Sequence, residues 1–145
     1  MYEAYREYFG FMDQLGGLLD QLTGLAKEKA AAVRRDDLLA VDNCMKQEQA
    51  LSLSLRAMDK KRETLLDEMG LKDASLSELP QRCPEEIRKE AREASEELRT
   101  RYMLYRSASE AARTTLECNL HQIDRILADE ADAPGGGGTI ADIRA

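Results

Sequence analysis

The chain has 145 residues, of which 43% are hydrophobic, 34% charged and only 5% aromatic, and 28 acidic against 21 basic side chains leave a formal net charge of -7. Such an acidic chain, with a sequence pI near 4.9, is not built as a nucleic-acid binder, and no apolar run approaches the roughly 20 residues of a bilayer span. Both signs of charge are abundant, and their total stands well above the roughly 25% of an average globular protein, which predicts long, solvated, salt-laced helices in one domain.

Helix 1 spans about Glu3 to Arg34. Tyr5, Tyr8, Met12, Leu15, Leu19, Leu22, Ala26 and Val33 alternate at steps of three and four, and only Lys29 misses the beat. That is a heptad seam of a and d positions. The polar pairs Arg6-Glu7, Asp13-Gln14, Asp20-Gln21, Lys27-Glu28 and Arg34-Arg35 recur every seven residues at b and c. Phe11, Leu18 and Leu25 fill g, and Gly10, Gly17, Gly24 and Ala31 fill f. The non-polar arc is wider than the stripe of about 100° on an ordinary surface helix, so helix 1 should touch more than one neighbour. Each glycine costs a helix about 0.5–1 kcal/mol relative to alanine, so a line of Gly10, Gly17 and Gly24 asks for an explanation. One reading is tight packing inside the bundle. The other is a groove for a partner's helix or a dimer contact.

Helix 2 spans about Asp36 to Met69. Arg34-Arg35 followed by Asp36-Asp37 is the charge order of a helix end followed by a helix start. No Gly or Pro marks the break, so a continuous helix fits as well, and the charge order favours a short turn. The seam is Val41, Cys44, Leu51, Leu55, Met58, Leu65 and Met69, with Glu48 and Arg62 in the same phase at its edge. Gly70 suits the C′ position. Residues 70–84 form a connector in which Ser75-Leu76-Ser77-Glu78 has capping-box spacing, bracketed later by Pro80 and Pro84.

Helix 3 spans about Glu85 to Ala131, free of Gly and Pro. Ile87, Ala91, Ala94, Leu98, Tyr102, Tyr105, Ala112, Leu116, Leu120, Ile123 and Leu127 lie near a 3.6 period. At 1.5 Å per residue, helices 1 and 2 are each about 45–50 Å long and helix 3 about 70 Å. Roughly 20 Å of helix 3 therefore overhangs, at one end or divided between both. If the C-terminal end projects, Leu116, Leu120, Ile123, Ile126 and Leu127 lack partners in their own chain and mark an interaction surface. The tail reads as a flexible tether, Gly135 to Gly138, before a short segment with Ile140 and Ile143 three residues apart. That segment is either a frayed terminus or a docking peptide.

The expected fold class is all-α: an elongated antiparallel helical hairpin, or three-helix coiled-coil bundle, with a long third helix and a flexible C-terminal tail. Residues 1–131 form one helical domain and 132–145 a glycine-rich linker with a short final segment. Catalytic chemistry is not expected, and neither is a cofactor or metal. Cys44, Cys83 and Cys118 are odd in number and far apart, which fits a reducing cytoplasmic setting better than a disulfide framework. His121 is the only histidine, with Glu117 and Cys118 nearby, short of the paired Glu-x-x-His motifs of a di-metal bundle. There is no phosphate-binding glycine loop and no nucleophile elbow. Met1 to Glu7 lacks the basic and apolar regions of a signal peptide.

Several stretches, taken in order, reach a family: residues 32–41 (AVRRDDLLAV), Lys46 to Leu51, Leu65 to Leu71, Ser75 to Leu79, and Leu120 to Leu127. In order and spacing, over roughly residues 15–130, the chain resembles the FlgN-like bacterial flagellar export chaperones. The most specific part is Gly70-Leu71 followed by Leu76-Ser77-Glu78-Leu79 between helices 2 and 3. The resemblance implies a small cytoplasmic helical chaperone that binds the terminal amphipathic helix of hook-associated proteins. It would prevent their premature assembly and bring them to the flagellar export apparatus. Exposed apolar helix surface is what helix-in-groove recognition needs. The alternative is a structural coiled-coil protein whose apolar surfaces serve self-association, for example as a homodimer.

Overall fold

The computed structural model describes residues 2–131. Helix α1 runs Glu3–Arg34, α2 Leu38–Glu68 and α3 Leu79–Arg82; a 3-10 turn, Glu85–Ile87, then leads into α4, Arg88–Ala131. No strand occurs among the described residues, and the fold is all-α. The third helix of the sequence reading is thus the 3-10 turn continued by α4, and Ile140 and Ile143 lie outside the described residues.

The break between α1 and α2 is real. Asp36 takes a left-handed conformation, φ 57, and its N–H donates to the Val33 carbonyl while Asp37 N–H donates to the Ala32 carbonyl. This pair of bonds is a Schellman motif, formed here with aspartate at C′ in place of glycine. Asp37 then caps the next helix, its carboxylate accepting from Ala40 N–H at 3.1 Å. At the far end of α2 the same motif recurs with Gly70 at φ 71. Gly70 N–H donates to Asp67, and Leu71 N–H to Leu66. Leu66 and Leu71, the two residues whose side chains meet in such a motif, are both buried in the main core. The Ser75 hydroxyl accepts from Glu78 N–H at 3.2 Å, opening the turn that becomes α3.

α1 lies in the middle. It packs against α2 in one direction and α4 in the other, and no Cα of α2 comes within 8 Å of one in α4. α2 returns antiparallel to α1, whereas α4 runs parallel to it. Tyr2 donates to Glu86, Arg6 pairs with Glu90, and Arg101 reaches Asp13 further along. The main core joins Tyr8, Met12, Leu15 and Leu19 of α1 to Leu66 of α2 and to Ile87, Ala91 and Leu98 beyond the connector. The connector itself contributes Leu71, Ala74, Leu79 and Cys83 to that core. Further along, contact between α1 and α4 narrows to alanines, Ala26 and Ala30 against Ala108 and Ala112. A third cluster at the α1–α2 turn gathers Ala32, Val33 and Val41, with Leu116 of α4 against it.

The charged residues that interrupt the apolar seams have partners. Lys29 of α1 and Glu48 of α2, the off-beat residues of their helices, meet at 2.9 Å with both side chains largely shielded from solvent. Arg101 crosses α1 at Gly16, where a β-carbon would stand 2.8 Å from its Cδ. Its guanidinium bridges Asp13 at 3.4 Å and Asp20 at 3.5 Å. Gly16 is therefore the glycine over which the flexible Arg101 side chain lies, and a β-carbon there would make that side chain shift. Gly10, Gly17 and Gly24 have nothing within 4 Å of a built β-carbon, so tight packing of that line inside the bundle is overturned. The f positions point away from both neighbours even though no polar side chain occupies them.

The glycines accordingly respond in opposite directions. Gly24→Ala should stabilise the chain by about 0.5–1 kcal/mol through helix propensity alone. Gly70→Ala should destabilise it by about 1 kcal/mol, because alanine is strained at a left-handed φ. Urea unfolding followed by circular dichroism measures both.

Candidate partner-binding surface

Because α4 starts level with the beginning of α1 and is the longer helix, its C-terminal end outruns the α1–α2 turn. Leu116 is the last of its residues to join a core cluster. The remaining fifteen residues to Ala131 extend about 22 Å at helical rise. The overhang therefore lies wholly at the C-terminal end, and the anchors foreseen in the sequence sit on it or at its root.

Their exposure is graded. Leu116 is half-buried against Val33 and Val41, and Leu120 and Leu127 are half-buried. Ile123 is 39% and Ile126 58% exposed. No residue of α4 between Arg113 and Asp129 is fully buried. Leu116, Leu120, Ile123 and Leu127 fall on one helical stripe, with Ile126 one turn from Ile123, so a facing helix can meet them together. Gly10, Gly17 and Gly24 lie apart from this stripe, on the open face of α1.

The same end of the molecule carries two apolar residues that the sequence reading passed over. Leu38 is 80% and Leu39 72% exposed at the start of α2. The signal was present. Val41 and Cys44 set the buried phase of α2, and at 100° per residue Leu39 stands nearly opposite Val41. Adjacent leucines at a helix start cannot both follow that phase.

The arrangement offers association rather than bond chemistry. Burial pushes the Cys44 and Cys83 thiols above their ordinary pKa, the reverse of what a thiolate nucleophile needs. Among the described residues, no three His, Cys, Asp or Glu side chains are placed to hold a metal ion. No described helix is long and apolar enough to cross a membrane.

The chain is an all-α protein in which α4, among the described residues, runs past its last core contact with apolar side chains exposed. The model of the family described as FlgN protein matches residues 1–129, almost the whole chain, and the chain belongs to the FlgN family. Its general role is that of a flagellar export chaperone, in a family of chaperones rather than enzymes. No curated protein and no solved structure matches the chain.

Cysteine accessibility tests the placement of these elements. Cys118 is exposed on α4, whereas Cys44 and Cys83 are buried. An aromatic disulfide reagent should modify one thiol rapidly in the native protein and all three after denaturation. Rapid native modification of a second thiol would mean that the α1–α2 contact or the connector packs differently.

Proposed function

We propose that this chaperone binds the terminal amphipathic helix of hook-associated proteins on the overhanging end of α4. Leu116, Leu120, Ile123, Ile126 and Leu127 are the anchors, and Ile140 and Ile143 make a second, tethered contact. Holding that helix keeps the client from assembling before export and delivers it, in the cytoplasm, to the export apparatus. One observation carries the reading: α4 continues past its last core contact with isoleucines still exposed to solvent. A helix that leaves apolar side chains in water has stabilisation to gain from a partner. Burial of a Leu or Ile side chain contributes about 1.5–3 kcal/mol.

A second reading is self-association. The open line of Gly10, Gly17 and Gly24 supports it, since a helix face without side chains lets another backbone approach closely. The two readings separate in the analytical ultracentrifuge. A homodimer that persists in the presence of a client favours the structural role, and a monomer that forms a defined client complex favours the chaperone.

Leu120→Asp together with Ile123→Asp tests the placement. At the burial energies above, the double change should weaken binding of a purified hook-associated protein by about 100-fold or more. The readout is isothermal titration calorimetry, with far-UV circular dichroism unchanged because neither side chain is buried in the core. Unaltered affinity in a folded double variant would contradict it.

A further inference from the structure

Because no Cα of α2 comes within 8 Å of one in α4, the bundle is open along the side between them. Two clefts of about 440 Å³ each lie there. One is floored by Leu15 and Leu19 of α1 and walled by Leu55 of α2 with Leu98 and Tyr102 of α4. The other is floored by Lys29 and walled by Met45 and Leu53 of α2 with Ser109 and Arg113 of α4. Arg56 lines both, so the two lie in succession along one trough with this side chain between them. From the level of Leu98 to that of Arg113 the trough runs about 22 Å, or four helical turns. Leu53 and Tyr102 stand exposed on its opposite walls.

The walls restrict what can lie in it. α2 and α4 have already used their backbone hydrogen-bonding groups internally, so they offer no ladder to an extended peptide. A chain lying on the apolar floor must satisfy its own N–H and C=O groups, which a helix does. Three antiparallel or parallel helices with an open side accept a fourth by the side-chain packing of helical bundles.

Charge narrows the occupant further. Most charged groups along the trough are paired: Lys29 with Glu48 at 2.9 Å and Arg62 with Asp59 at 3.7 Å. Arg56 and Arg113 have no carboxylate within 4.0 Å among the described residues. In a chain of net charge -7, the trough thus presents two unneutralised cations beside an apolar floor. We infer that the trough between α2 and α4 is a second docking site, separate from the end of α4, for an amphipathic helix whose apolar stripe is bordered by carboxylates. The chain would then hold two helices at once, one on the overhang and one in the trough. This site rests on the packing around α1 and does not depend on the overhang reading.

The test uses the full chain and two labelled synthetic peptides of about 16 residues, matched to the length of the trough. Both carry leucines at i, i+3, i+4 and i+7 spacing; one has glutamates beside the stripe and the other lysines. Fluorescence anisotropy should show binding of the glutamate peptide, weakening with added salt, and little binding of the lysine peptide. Arg56→Glu with Arg113→Glu should weaken the glutamate peptide by about tenfold or more and give the lysine peptide measurable affinity. In the Leu120→Asp, Ile123→Asp background, which removes the overhang as a competing site, the glutamate peptide should still bind, and the arginine reversal should weaken it by the same factor. Three results each overturn the proposal: no binding of the glutamate peptide, indifference to the arginine reversal, or complete loss of glutamate-peptide binding on changing Leu120 and Ile123. Retained peptide binding alongside a failed client test would sink the overhang reading and leave the trough standing.

Discussion

α1 buries Tyr8, Met12, Leu22 and Ala26 almost completely, and it does so against two helices rather than one. Its seam residues Tyr8, Met12, Leu15 and Leu19 join a core that draws on both neighbours, and the apolar g positions beside the seam widen the buried arc. Neither α2 nor α4 has an arc of that width. α2 has only Val41, Cys44 and Leu66 fully buried, and the first half of α4 carries a thin stripe built largely of alanine. Each of the two outer helices is therefore held chiefly through α1. Because an amphipathic helix in a small protein derives most of its stability from tertiary packing, the whole assembly depends on that central apolar surface.

Two consequences for binding follow from the same constraint. First, α2 and α4 are left apart, which opens the trough over Leu15 and Leu19. Second, α4 runs parallel to α1 and begins level with it, so its surplus length collects at the C-terminal end. The α1–α2 turn fixes where support stops, and that turn is fixed in turn by the Schellman bonds at Asp36 and Asp37 and by the Asp37 cap. A chaperone needs apolar surface that stays exposed without unfolding the protein. Here stability resides mainly in the core near the connector, while the exposed isoleucines lie at the opposite end, past Leu116.

Much of this was legible in the residues. The heptad regularity of α1 gave its bounds at Glu3 and Arg34, and the width of its arc implied two neighbours. Gly70 announced the end of α2 because a left-handed C′ position favours glycine. The absent apolar beats at Lys29 and Glu48 proved to be the two halves of one ion pair. The turn at Asp36 was visible only as a change in charge, since aspartate reaches a left-handed conformation without glycine's sequence signal. Helix lengths implied an overhang, but lengths carry no information about which end projects; that depends on the connector placing the start of α4 beside Tyr2 and Arg6. The connector's share of the core, through Leu71, Leu79 and Cys83, was hidden because its short turns have no periodicity. The glycine line misled because a face lacking polar side chains is not thereby a packed face. Leu38 and Leu39 stand off the buried phase set by Val41 and Cys44, so periodicity alone does not report them.

α1 supports the bundle, and α4 beyond Leu116 joins no core cluster among the described residues; its proposed role is to take a client helix. Amide hydrogen–deuterium exchange of the full chain, alone and with a purified hook-associated protein, measures both parts at once. Exchange should be slowest along α1 and rapid from Glu117 onward in the free protein, with marked protection of that segment in the complex. Strong protection of residues 117–129 in the free chain, or a client complex that leaves their exchange unchanged, would contradict that role.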